Sequence, residues 1–142
     1  MRDIVTTIAA SAGLLVLLAG CMTNGTARTA DAAERLERVA TSYAAASNVS
    51  AAQAFADQAR EFHGTLGQEG AAGVLLAYQR LWRGYHTLRH EVNQSGDPSL
   101  RTELSPTTDA FYDVQQHIRA WYSDADTGLY SRGGYTLDPY YN

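Results

Sequence analysis

The sequence predicts an all-α fold: an antiparallel bundle of about four helices with an irregular, tyrosine-rich C-terminal tail. Three observations carry that expectation. Apolar residues recur at spacings of three and four in four separate stretches, the period of a helix that buries one face. Short runs of Asn, Ser, Gly and Pro divide those stretches, and helices joined by short connections become antiparallel neighbours. The composition is 45% hydrophobic and 18% charged, ordinary for a globular domain and unlike a disordered or multi-span membrane chain.

Taken in order, residues 1–20 precede the bundle. Ile4 to Gly20 carry no charge and are densest in apolar residues at Leu14-Leu15-Val16-Leu17-Leu18. A run of this length is short for a bilayer crossing, which needs about 20 apolar residues, but it suits a signal-peptide core. Removing the first 20 of 142 residues leaves 122, the size of one domain. Residues 21–29 are polar and aperiodic and are expected as a flexible tether, followed by a helical domain over 30–126 and an aromatic tail over 127–142.

The first helix is expected from Asp31 to Ser47, with Leu36, Val39, Tyr43 and Ala46 inward. Asp31 and Glu34 form a capping-box pattern, and Glu34 with Arg38 an i,i+4 ion pair. Ser50 and Gln53 repeat the capping pattern before a second stripe of Phe55, Ala59, Phe62 and Leu66. Glycines then recur at Gly64, Gly67, Gly70 and Gly73. They are open to two readings: a helix end with its connector, or a close backbone approach by a neighbouring helix.

The third helix carries the clearest period, through Val74, Tyr78, Leu81, Tyr85, Leu88 and Val92, and Asn93-Gln94-Ser95-Gly96 ends it. Asp97-Pro98 is a start signal for one short turn, and Ser105-Pro106 repeats it for a fourth helix with Phe111, Val114, Ile118, Trp121, Tyr122 and Ala125 inward. Beyond Asp126 the period stops. Tyr130, Tyr135, Tyr140 and Tyr141 fall in a segment with turn signals at Gly133-Gly134 and Asp138-Pro139, either folded back over a groove or serving as a docking tail.

Charge and motifs exclude more than they assign. A net charge of −4 gives no basic surface of the kind that binds nucleic acid. All eleven basic residues are arginine, which fits a bias in coding composition. There is one cysteine, Cys21, so no internal disulfide forms. None of the carboxylate-bridged di-iron, covalent haem, zinc-protease, nucleophile-elbow or phosphate-loop patterns occurs, and neither a catalytic constellation nor a cofactor is expected.

Two weaker sites lie on the third helix. His86 and His90 are four apart and share a face, the spacing at which two imidazoles hold one metal, with Glu91 beside them in sequence. At about 100° per residue they fall on the flank of the apolar stripe, where a solvated face is the simpler account. Trp82, Arg83, Tyr85, His86 and Arg89 bring aromatic and cationic groups together. They read as arginine stems over a packed ridge or, with Trp82, Tyr85 and Arg89 as the contact residues, as a ligand or glycan face.

The strongest motif is Leu18-Ala19-Gly20-Cys21, an apolar residue and two small residues before cysteine. It resembles the lipobox of bacterial lipoproteins. The resemblance covers only the N-terminal segment, and the region before the apolar run departs from the pattern because Arg2 is offset by Asp3. It implies cleavage between Gly20 and Cys21, and diacylglycerol on the Cys21 thiol with an acyl chain on its new amine. Several chains make a durable anchor where one does not. Met22, where an aspartate would signal inner-membrane retention, implies the outer membrane with the domain facing the periplasm. The expected partners are the membrane, through the anchor, and an envelope protein. An ordinary signal segment with an incidental cysteine is the competing reading.

Overall fold

Four helices account for nearly all of the described residues: α1 (Val16–Ala46), α2 (Ser50–Thr65), α3 (Ala71–Ser95) and α4 (Pro98–Asp124). The computed structural model describes the backbone of residues 16–124, and the side chains of 27–120 apart from residue 71. The side chain of Cys21 and the whole aromatic tail thus lie outside the described residues, as do the expected inward positions Trp121, Tyr122 and Ala125.

The helices form an up-and-down antiparallel bundle. α1 packs against α2 and α4, α2 also packs against α3, and α3 and α4 approach least closely. Pairings along the α1–α4 seam run in opposite directions. The Tyr43 hydroxyl donates to the Leu100 carbonyl (3.4 Å), Thr107 Oγ1 to the Val39 carbonyl (3.5 Å), and Arg35 faces Asp113 (4.0 Å). The core contains Leu36, Phe55, Phe62, Tyr78, Leu81, Tyr85, Leu88, Phe111, Val114 and Ile118, all essentially inaccessible.

α3 matches expectation at every inward position: Val74, Tyr78, Leu81, Tyr85, Leu88 and Val92 are all buried. Gly96 ends it with a left-handed φ of 71°, a conformation that glycine adopts without a Cβ penalty. In α2 the expected Phe55, Ala59 and Phe62 are buried together with Ala52 and Ala56, and Leu66 packs at the edge. The Glu34–Arg38 pair is present and exposed, at 3.4 Å.

Several local expectations are corrected. Residues 22–29, expected as an irregular tether, are helical, and α1 runs without interruption past Asp31, so Asp31 caps no helix. Thr29 is buried and continues the stripe of Ala32, Ala33, Leu36, Ala40 and Tyr43 at helical spacing. Tertiary burial thereby extends the helix through a polar stretch with weak intrinsic preference. Val39 is only partly buried and Ala46 is exposed, so the true stripe sits about one position round from the expected one.

The second start signal in α4 is also overridden. Asp97 does cap it, with Oδ1 accepting from the Ser99 N–H and hydroxyl at 2.8 Å each. The helix then runs through Pro106. Leu104 and Thr107, on either side of that proline, are both buried in the same stripe as Ala110, Phe111, Val114 and Ile118.

The glycine run spans a helix end and its connector: Gly64 closes α2, Gly67 and Gly70 lie between the helices and Gly73 is in the first turn of α3. A Cβ at Gly64, Gly67 or Gly70 would meet nothing within 4 Å, and one at Gly73 would meet only the side chain of Glu69. The close approach lies instead at Gly84, where a Cβ would collide with the Gln58 carboxamide of α2.

The capping box expected from Ser50 and Gln53 is replaced by a tertiary cap. Gln53 bonds Asp57 (3.1 Å), while Glu91 reaches across from α3 to the start of α2. Its carboxylate accepts from the Ser50 N–H (2.9 Å), the Ser50 hydroxyl (2.9 and 3.1 Å) and the Ala51 N–H (3.0 Å). Orphan N–H groups at a helix start favour an anion. The Ser50 hydroxyl bond, then the backbone N–H bonds, hold Glu91 below the usual carboxylate range. A carboxyl depressed in the folded state stabilises the fold above its unfolded pKa, and that contribution disappears as pH falls through the folded value. Glu91→Ala should therefore cost about 1 kcal/mol at neutral pH, as for a lost N-cap. Urea titrations should show the mutant and wild-type stabilities converging below the ordinary carboxylate range.

Candidate functional site

The site builds from α3 outward. Gly84, Arg80 and Glu91 turn toward α2: Gly84 sits under Gln58, Arg80 meets Glu61 at 2.8 Å, and Glu91 caps Ser50. Tyr85 points into the core and toward α4. At 100° per residue this leaves the flank centred about 100° from Tyr85 for the side chains of Trp82, His86, Arg89, His90 and Asn93. That flank lines an open groove of about 630 Å³, to which α3 contributes Trp82, Arg83, His86, Thr87, Arg89, His90 and Asn93.

An aromatic ladder fixes the floor. Tyr85 stacks on Phe111 with centroids 4.0 Å apart and planes 13° from parallel. Phe55 approaches the pair from α2 at 5.9 and 6.5 Å, and Tyr112 meets Tyr85 edge-on at 6.0 Å. The Tyr85 hydroxyl donates to Thr108 Oγ1 (3.1 Å). Burial pushes this phenol above its ordinary value, a shift opposed by the Thr108 bond and the nearby Arg89 charge. Trp82 is largely buried, and its ring lies 3.8 Å from that of His86.

The expected ligand face is thus partly corrected. Trp82 and Arg89 do line one groove, joined by Arg83 and His86, but Tyr85 is wholly buried and belongs to the core. Its place in the heptad stripe already pointed inward. Thr87 and Asn93 escaped the sequence reading because neither bears charge or ring. Asn93 lies on the same angular flank, which is the signal that finds it, whereas Thr87, about 200° round from Tyr85, lies at the edge toward α2.

His86 and His90 share the groove, but the third group that sequence proximity offered is committed elsewhere, since Glu91 caps α2. Among the described residues no group of three His, Cys, Asp or Glu is placed to hold a metal ion. The other two histidines pair with carboxylates: His63 Nδ1 lies 2.8 Å from Glu37, which also meets Arg60, and His117 Nε2 lies 3.5 Å from Asp113. His117 and Asp113 border a smaller cleft of about 480 Å³ between α1 and α4, with Arg28, Asp31, Ala32 and Arg35. Its charges are of both signs. Tyr130, Tyr135, Tyr140 and Tyr141 lie outside the described residues, as does the Cys21 side chain, while the backbone of Gly20 and Cys21 falls within α1.

Comparison of the chain with protein-family models, curated proteins and solved structures returned no match.

Proposed function

We propose that this chain is a lipid-anchored protein of the cell envelope, held at the periplasmic face of the outer membrane, whose helical domain is a non-enzymatic binding or assembly module. The observation that carries the reading is Leu18-Ala19-Gly20-Cys21 closing an uncharged apolar run. Acyl chains on Cys21 would supply the attachment, at roughly 0.8 kcal/mol per buried methylene. Among the described residues no helix is long and apolar enough to cross a membrane. In the helical conformation of α1 the interval from Cys21 to Thr29, the first buried residue of the stripe, spans about 12 Å. A domain anchored this way stands close over the lipid surface, and its envelope partner is one that approaches the same surface.

Metabolic labelling with an alkyne fatty acid tests the anchor. The wild-type chain takes label and stays with membranes through a carbonate wash, and Cys21→Ala takes none and is released. A Cys21→Ala chain that remains with the membrane, or matures to a mass differing from wild type only by the substitution, overturns the reading.

The shared groove of His86 and His90 favours a second reading, in which the domain binds a small ligand there.

A further inference from the structure

We infer that the tyrosine-rich tail, residues 127–142, runs back along the seam between α3 and α4, covers Trp82 and forms the second wall of the α3 groove. The inference goes beyond the anchored-module reading and is independent of lipid on Cys21.

The burial of Trp82 is the first ground. Counting about 100° per residue from Tyr85, the α3 residues that meet α2 (Gly84, Glu91 and Arg80) fall about 100–140° to one side, and Trp82 about 60° to the other, toward α4. Trp82 is only 7% exposed, although α3 and α4 approach least closely of the neighbouring helices. The facing edge of α4 is itself uncovered, with Tyr112 40% exposed and Thr108 and Gln115 half-buried. An indole presents roughly 200 Å² to be covered, more than the neighbours on its own helix supply. Its burial on this flank calls for a further segment.

The groove makes the same demand. Its described lining comes from α3 alone, and one helix is a convex cylinder. A volume of about 630 Å³ on such a surface needs a wall from elsewhere.

Position, length and composition single out the tail. Tyr85 meets Thr108 and Phe111, and from that level Asp124 of α4 and Ala71 of α3 both lie about 20 Å toward the same end of the bundle. The tail therefore leaves α4 at the foot of the seam. Residues 125–142 can extend to about 60 Å, against about 37 Å for the whole of α3. After reversing near Gly128 they reach past Trp82. From 127 onward the tail carries Leu129, Tyr130, Tyr135, Leu137, Tyr140 and Tyr141, with Arg132 and Asp138 as its charged side chains. Phenol rings bury their faces and keep a hydroxyl for polar neighbours, which Asn93, Thr108 and Gln115 offer along the seam. A second copy of the chain fits less well. Leu76 and Tyr112 are the large apolar side chains exposed among the described residues. Leu76 stands on the face of α3 opposite Tyr85, so the two form no contiguous patch of the size a stable interface needs.

Truncation after Asp126 in a Trp121→Phe background, which leaves Trp82 as the one indole, tests the inference in neutral detergent. Relative to the same chain at full length, acrylamide quenching of Trp82 should rise several-fold and its emission should move to longer wavelength. The melting temperature should fall by at least about 5 °C. A separate peptide of residues 127–142 should restore the shielding saturably. At full length, Tyr130→Ser combined with Tyr135→Ser should reproduce part of the loss, and p-benzoylphenylalanine in place of Gln115 should cross-link within the chain to the tail. Those two measurements decide the question if the truncated chain does not fold. Equal shielding of Trp82 with and without the tail overturns the inference, as do cross-links from position 115 that reach only another molecule or no part of the tail. Cys21→Ala should leave the shielding unchanged, so failure of the anchor shows only in fractionation and failure of the tail contact only in quenching and cross-linking.

Discussion

Phe111→Ala should lower the unfolding free energy by about 3–5 kcal/mol, the range for removing a large ring from a close-packed core. Phe111 is completely buried and meets three other rings: Tyr85 in a stack at 4.0 Å, Phe55 at 6.5 Å and Tyr112 at 5.7 Å. Its position magnifies the loss. α3 and α4 approach each other least of the neighbouring helices, so side chains rather than close backbones join them, and the Tyr85–Phe111 stack is the central contact across that seam. Truncation leaves a void that neither helix can close without moving. Thermal unfolding should shift down by roughly 10–20 °C for a domain of this size. Phe111→Leu, which refills most of the volume, should lose much less. A fall of under about 1 kcal/mol in Phe111→Ala would mean that the seam collapses freely and that the stack is not what joins the two helices.

The second large effect has the opposite sign. Pro106→Ala should stabilise the domain by about 2–2.5 kcal/mol. Pro106 lies inside α4, on its exposed side, where the missing N–H leaves the Thr102 carbonyl without its helical donor and the ring crowds that turn, at a cost of about 3 kcal/mol in a regular helix. Alanine restores the bond but frees the unfolded chain, which returns about 0.5–1 kcal/mol. Chemical denaturation read by far-ultraviolet circular dichroism gives the difference directly. If Pro106→Ala is neutral or destabilising, the proline in this turn is required to set Thr107 and Phe111 against α1 and α3.

The Phe111 effect falls where sequence and structure agree, and the Pro106 effect where they part company. The Ser105-Pro106 start signal is locally valid, yet Leu104 and Thr107 lie in the same buried stripe as Phe111 and Val114, and burial of that stripe outweighs the local signal. Asp31 with Glu34 and Ser50 with Gln53 are equally sound capping patterns that the fold does not use. The first is absorbed because Thr29 and Ala32 dock onto the bundle. The second is displaced by Glu91, forty-one residues away from Ser50, a distance over which no local pattern carries information.

The site divides along the same line. That Trp82, Arg83, His86, Arg89 and His90 share one flank was legible, because helical geometry turns spacing into angle. That Tyr85 belongs to the core was legible too, from its place in the apolar stripe, but the loss of Glu91 to the start of α2 was not, because it is decided by the element packed against it. Spacing likewise marked four glycines from the end of α2 to the first turn of α3, while the glycine approached by a side chain of a neighbouring helix is Gly84, opposite Gln58.

By itself, then, the sequence determined the helical class, the complete inward stripe of α3, and the Leu18-Ala19-Gly20-Cys21 motif on which the proposed anchor rests, since periodicity and contiguous motifs are written in neighbouring residues. Only the tertiary structure decided that α1 runs on through residues 22–29, that α4 runs on through Pro106, and what caps α2. Those depend on contacts between residues far apart in the chain, as in the reach of Arg80 and Glu91 from α3 to Glu61 and Ser50 of α2.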